Sequence, residues 1–119
     1  MTNLPLHFLA PDFAVAPQLA PEQMAALAAS GIRSVVNNRL EQEAGQPPET
    51  QLRAAAAASN LAYERLPVDP GHITLEDVAR FAELIERLPR PIVAFCRSGS
   101  RSGILYRAAA EGVHRRDGR

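Results

Sequence analysis

The sequence predicts an α/β domain of three layers, with a mostly parallel central sheet between two layers of helices. Three observations predict it. Short apolar runs alternate with helical stretches in the order strand, helix, strand, helix, strand, helix, strand, loop, helix, a pattern that calls for a parallel sheet covered on both sides. The run "PIVAF" (91–95) has no polar position, as expected of a strand whose two faces are both covered. A chain of 119 residues, 46% of them hydrophobic, is long enough for one core and too short for two.

Each element has its own local reason. "FAVAPQL", from Phe13 to Leu19, is short, apolar and broken by Pro17, which predicts an opening strand at a sheet edge. "APEQMAALAASG" places Pro21 at a helix start, sets Met24, Leu27 and Ala28 at helical spacing, and stops at Gly31. "IRSVVNN" is β-branched and bounded by turn formers, so it reads as a buried strand. From Leu40 to Glu49 the chain is polar and holds Gly45, Pro47 and Pro48, which makes it the longest loop. "PETQLRAAAAASN" is a helix by propensity, with Asn60 as its C-terminal cap. "LAYERLPV" is the next strand, closed by the turn "DPGH". Thr74 and Asp77 then form a capping box for a helix whose stripe is Val78, Phe81, Ala82, Ile85 and Leu88. After the strand at 91–95 and its loop, "RSGILYRAAA" continues as the last helix, and residues 113–119 are expected to fray. No internal repeat or linker divides the chain, so 1–119 is read as a single domain.

Charge excludes some partners. Thirteen arginines balance thirteen acidic residues and lysine is absent, so no global field draws the chain to nucleic acid or to an anionic membrane. Any anion site is local, and every fixed cation in it is a guanidinium, suited to bidentate contact with oxyanions. No stretch approaches the roughly 20 apolar residues of a membrane helix. The start "MTNLPLHFLAPDF" lacks the basic segment and long apolar run of a signal peptide. The expected location is cytoplasmic, where thiols stay reduced. His7, His72 and His114 have no ligand spacing, so neither metal nor cofactor is expected.

The chemistry centres on Cys96, the only cysteine, which rules out an internal disulfide. It follows an apolar strand at the edge where open α/β sheets bind ligands. Taken alone, such a cysteine is most simply a small buried hydrophobe. The residues after it shift the reading, because "RSGSR" places a Gly/Ser turn, a fixed cation and a helix start within one turn of chain. Backbone N–H groups curling into a helix N-terminus make an anion-binding nest, and the same field favours a thiolate. Arg97, Ser98, Gly99, Ser100 and Ser102 are therefore the expected anion-binding residues, with Gly99 where the chain must curl. Cys96 is the expected nucleophile and Arg101 its catalytic partner. Arg39 ends the second strand on the same rim, after Asn37 and Asn38, and is a candidate for the anion pocket or for a turn cap.

"CRSGSR" is similar to the rhodanese active-site loop, Cys-x-x-Gly-x-Arg. Together with "FAVAPQL", "VVNNR", "AYERLPVD" and "CRSGSRSG", it makes nearly the whole chain resemble the bacterial beta-lactamase-hydrolase-like, phosphatase-like domain family. That family occurs alone or fused to a persulfide dioxygenase, and is described both as a presumed phosphatase and as a sulfurtransferase. The resemblance implies a fold similar to that of cysteine-dependent phosphatases. It also implies two departures from them. Such phosphatases place five residues between cysteine and arginine, a position held here by Ser102, whereas Arg101 comes one residue sooner, as in rhodaneses. Phe95 stands where many relatives carry histidine. Phosphatases of this fold also use an aspartate as general acid on the loop corresponding to "LPVDPGH". Asp69 is the candidate, its simpler reading being a turn residue before Pro70.

The expected reaction is sulfur transfer: Cys96 takes a sulfane sulfur from thiosulfate or glutathione persulfide, the N–H groups from Arg97 to Ser102 hold it as a persulfide, and a small thiol or cyanide receives it. A persulfide dioxygenase is the partner the resemblance suggests. One alternative is hydrolysis of a small phosphate ester by Cys96 with Asp69 as acid. Another is a non-catalytic, redox-sensing thiol.

Overall fold

The computed structural model describes residues 3–112. Five strands form one sheet: β1 (His7–Ala10), β2 (Phe13–Ala16), β3 (Ser34–Asn37), β4 (Ala62–Arg65) and β5 (Ile92–Phe95). Four helices accompany them: α1 (Met24–Ala29), led in by a 3-10 turn at Pro21–Gln23, then α2 (Glu49–Ala58), α3 (Leu75–Arg87) and α4 (Ser100–Ala110). The strand order is β1-β2-β5-β3-β4, parallel throughout except for the antiparallel pair β1–β2. The three-layer, mostly parallel architecture is the one expected.

The period of two along each strand decides which layer its side chains join. Phe13 and Val15 of β2, Val36 of β3 and Ile92 and Ala94 of β5 pack with Val78, Phe81, Leu84 and Ile85 of α3 and Leu105 of α4. Their neighbours Ala14, Ala16, Val35, Val93 and Phe95 pack on the opposite face with Met24 and Leu27 of α1 and Leu52 and Ala56 of α2. Both faces of β5 are thus covered, which is why "PIVAF" contains nothing polar.

Caps hold where the sequence placed them. Thr74 Oγ1 accepts the Asp77 N–H and the Asp77 carboxylate accepts the Thr74 N–H, each at 3.0 Å. Asn60 has φ +60°, the left-handed residue that ends α2, and Gly31 does the same for α1 at φ +104°. One expectation fails. Phe13–Ala16 is not the sheet edge, because β1 pairs along its outer side and β5 along its inner side, and Pro17 falls just beyond the paired residues. The fourth strand is also shorter than "LAYERLPV", ending at Arg65, although the Leu66 and Val68 amides still bond to Asn37 and Asn38. Residues 113–119, where fraying was expected and where His114 lies, are outside the described residues.

For the site, the important fact is position. β2, β5 and β3 end level with one another, Ala16 and Asn37 both standing opposite Phe95. Cys96 therefore leaves the sheet at its centre, flanked by the ends of two parallel strands.

Candidate active site

Cys96 is 1% exposed and belongs to the buried interior, although it is a member of neither apolar cluster. Its own N–H donates to Ala16 O at 3.3 Å, and the Gly99 N–H donates to its Sγ at 3.0 Å. That bond needs the chain to double back in three residues, and Gly99 does so at φ +98°. A Cβ at Gly99 would stand 3.5 Å from the backbone of Ala16, so the site has room for one and it is the dihedral that asks for glycine. α4 begins at the next residue, so the loop does run into a helix N-terminus as the sequence indicated.

Of the loop amides from Arg97 to Ser102, two have partners within the loop itself. Gly99 alone has its N–H bonded to Sγ; the Ser100 N–H is taken by Ser98 Oγ at 3.3 Å. Ser102 is fully buried and its hydroxyl donates to Asn38 Oδ1 at 2.7 Å, so it ties α4 to the end of β3 instead of supporting the thiol. Asn38 completes that tie by donating to Leu66 O at 2.9 Å.

Arg101 is 6% exposed and its guanidinium faces the protein wall. It donates from Nη1 to Asn38 O (3.0 Å), Val68 O (3.1 Å) and Glu43 Oε2 (2.7 Å), and from Nη2 to Glu43 Oε1 (3.2 Å). These bonds tie the start of α4 to the wall and so orient the loop, whereas the sequence made Arg101 the catalytic partner of Cys96. Its Nε is buried without a partner. Arg39, 3% exposed, converges on the same carboxylate: Nε donates to Glu43 Oε1 at 2.9 Å, Nη1 to Gln18 Oε1 at 2.6 Å and Nη2 to Ala44 O at 2.8 Å. Arg39 thus lines a cavity wall with its guanidinium bonded to protein groups. The hydrogen bonds from Arg101, together with those from the Leu40 N–H and Arg39, hold the Glu43 carboxyl at about 2, far below its ordinary 4.5 and against the opposing effect of burial.

Glu43 is the residue that sequence reasoning missed. A signal existed, since two buried arginines need a counter-ion, and the polar loop offered Glu41 and Glu43. Nothing in linear spacing links position 43 to position 101. Arg97 stays exposed on the loop and, with Gln18, Arg39, Glu43, Ala44 and Gly45, lines a cavity of about 540 Å³. On the other side of the loop, Ser98, Gly99 and Ser100 border a second cleft of about 450 Å³, walled also by His7, Ile104 and Arg107. Asp69 lines neither cavity. It is exposed, and its Oδ1 accepts the Gly71 N–H at 2.9 Å, closing its own turn. His72 is exposed in that same turn. Among the described residues no three His, Cys, Asp or Glu side chains gather as a metal set, and no helix is long and apolar enough to cross a membrane.

Residues 5–112 match the family model of the beta-lactamase hydrolase-like protein, phosphatase-like domain. The chain belongs to this family. A relative from the family, the beta-lactamase hydrolase-like protein of Agrobacterium fabrum, is 36% identical over 81 residues, covering 67% of this chain and 19% of its own. The chain spans about a fifth of the length of the curated relatives it matches. Among solved structures, a presumed phosphatase of Neisseria meningitidis superposes with a TM-score of 0.82 at 29% identity, over 92% of this chain and 80% of that one. The core catalytic domain of a PP-IP phosphatase from S. cerevisiae superposes at 0.75 with 13% identity, over 93% and 68%, a likeness of fold alone. The family domain therefore has the cysteine-phosphatase-like fold that the resemblance implied.

Proposed function

We propose that this chain is a cysteine-dependent enzyme that carries a small anionic group on Cys96, and that the group is a phosphoryl taken from a phosphate monoester. The observation that carries this reading is the position of Cys96 at the centre of a phosphatase-like sheet, with the Gly99 amide on its sulfur and α4 opening at Ser100. In the first step the Cys96 thiolate attacks phosphorus, an S–P bond forms and the ester P–O bond breaks. The departing alkoxide takes a proton from Asp69, which must swing out of its turn to reach it. Water then cleaves the S–P bond, releasing phosphate and restoring the thiolate. The α4 N-terminus and the exposed Arg97 meet the charge on the phosphoryl oxygens. A working thiolate suits a reducing compartment such as the cytoplasm.

Sulfur transfer is the second reading, and one observation favours it: only four residues separate Cys96 from Arg101, whose guanidinium is spent on Glu43 and two carbonyls instead of facing the loop. Here the thiolate attacks the outer sulfur of thiosulfate, an S–S bond forms, the old S–S bond breaks and sulfite leaves without needing an acid. A thiol or cyanide then takes the sulfur, or a persulfide dioxygenase receives it as a small persulfide.

One pair of assays separates the readings. Purified protein is offered an aryl phosphate, with release of phosphate measured, and separately thiosulfate, with the mass of the intact chain measured. Phosphate release that disappears in Cys96→Ser, with no added mass from thiosulfate, is the expected result. A mass gain of one sulfur on Cys96 without ester hydrolysis would replace the first reading by the second, and neither signal would refute both.

A further inference from the structure

The site contains its own anion. Glu43 presents two carboxylate oxygens and each accepts twice: Oε1 from Arg39 Nε and Arg101 Nη2, Oε2 from Arg101 Nη1 and the Leu40 N–H. The two arginines are almost fully buried and come from separate parts of the chain, one after β3 and one from the first turn of α4. The same carboxylate, with side-chain exposure of 17%, lines the cavity that Arg97 borders, so it is a lining group of the pocket and not only an internal brace.

A substrate oxyanion entering this cavity meets Arg39 in the lining and Arg101 behind Glu43, both already engaged by the carboxylate, and Coulomb repulsion from that carboxylate opposes its arrival. Three charges summing to a single positive one hold less attraction for a dianion than two guanidinia would. Arg101 still has a buried Nε–H without a partner, so its hydrogen-bonding capacity is not exhausted by the wall.

We propose that Glu43 sets the affinity of the site for oxyanions: it is an internal competitor that withholds Arg39 and Arg101 from the substrate and so weakens binding of oxyanions at the Cys96 loop, phosphate esters and inorganic phosphate alike. This rests on the reading of the Cys96 loop as an anion site. It does not depend on which group is transferred, since competition for donors acts before any bond is broken.

The test is a titration of the 15N-labelled chain with inorganic phosphate, followed by amide and arginine Nε spectra, for the wild type and Glu43→Gln. Removing the charge while keeping the shape is expected to tighten phosphate binding about tenfold, the scale of one charge-assisted hydrogen bond. The shifting signals are expected at the amides from Arg97 to Ser102 and at the Nε of Arg39 and Arg101. Equal or weaker binding in a variant that keeps the wild-type spectrum would overturn the proposal, as would shifts confined to other parts of the fold. A merely structural brace would give no gain in affinity. Should Glu43→Gln fail to fold, Glu43→Asp keeps the charge but is one methylene too short to reach both arginines. It is expected to bind phosphate about threefold more tightly than wild type, and no gain there overturns the proposal equally. Because no turnover is needed, a chain inactive toward esters and sulfur donors alike would defeat the functional reading while leaving this result to stand or fall separately.

Discussion

Replacing Gly99 by alanine isolates what the backbone of the Cys96 loop contributes. The added methyl meets Ala16 C and O at 3.5 Å and Pro17 N at 3.8 Å, which is ordinary contact, so steric overlap adds little. The cost comes from φ +98°, a conformation that disfavours an L side chain by about 1–2 kcal/mol. Alanine also stiffens the unfolded chain, which returns about 0.4–1 kcal/mol. The net loss is about 1 kcal/mol, equivalent to a fall in Tm of about 4 °C for a domain of this size. Circular dichroism during heating and equilibrium unfolding in urea both measure it. Gly99→Asn should lose less, because asparagine tolerates positive φ better. In both variants the alkylation of Cys96 by iodoacetamide should change rate, since the Gly99 N–H is aimed at Sγ by that same dihedral. Stability at or above wild type in Gly99→Ala would show that the turn does not depend on glycine's freedom. A loss beyond about 3 kcal/mol would show that the methyl has no room after all.

Other substitutions test the tethers around the loop. Ser102→Ala strands the buried Asn38 Oδ1 and is expected to cost about 1–3 kcal/mol in urea unfolding. Arg101→Lys keeps the charge but cannot bridge Glu43, Asn38 O and Val68 O together, so a loss of about 3 kcal/mol or more is expected by the same measurement. Stability toward acid has a definite sign. The Glu43 carboxyl sits at about 2 when folded against an ordinary 4.5, so its contribution is complete above about 4.5 and drains away as the pH falls toward 2. Unfolding followed across that interval should be less steeply pH-dependent in Glu43→Gln. Asp69→Asn should leave stability within about 0.5 kcal/mol, because the amide oxygen can still accept the Gly71 N–H. If Asp69 is the acid, ester hydrolysis in that variant should fall by about a hundredfold or more.

The elements that could be read from sequence are those whose evidence is local. The stripe of α3, the Thr74–Asp77 cap, the stop at Gly31 and the doubly covered β5 each rest on residues a few positions apart, and each is where the sequence placed it. β1 is hard to see because its apolar run, Phe8 to Ala10, is only three residues long and stops at Pro11; without it, its partner β2 reads as an edge. At the site the position of Cys96 after its strand, the curl at Gly99 and the following helix are legible for the same local reason. The orientation of side chains was not. Whether Arg101 faces the sulfur or the wall depends on Glu43, fifty-eight positions earlier in the chain, and whether Ser102 serves the thiol depends on Asn38, sixty-four positions earlier. Such pairings follow from how β3 and α4 meet in space, and linear spacing carries no trace of them.

The tethering of α4 also bears on how this loop could change its chemistry. Inserting one residue between Cys96 and Arg101 would reproduce the spacing of cysteine phosphatases, but the stretch from Arg97 to Gly99 precedes α4, so the addition lengthens the loop without turning the helix. Arg101 and Ser102 would keep their hold on Glu43 and Asn38. An engineer, or a lineage, that lengthens the loop alone therefore does not turn the guanidinium toward the sulfur; freeing it also requires a change at Glu43.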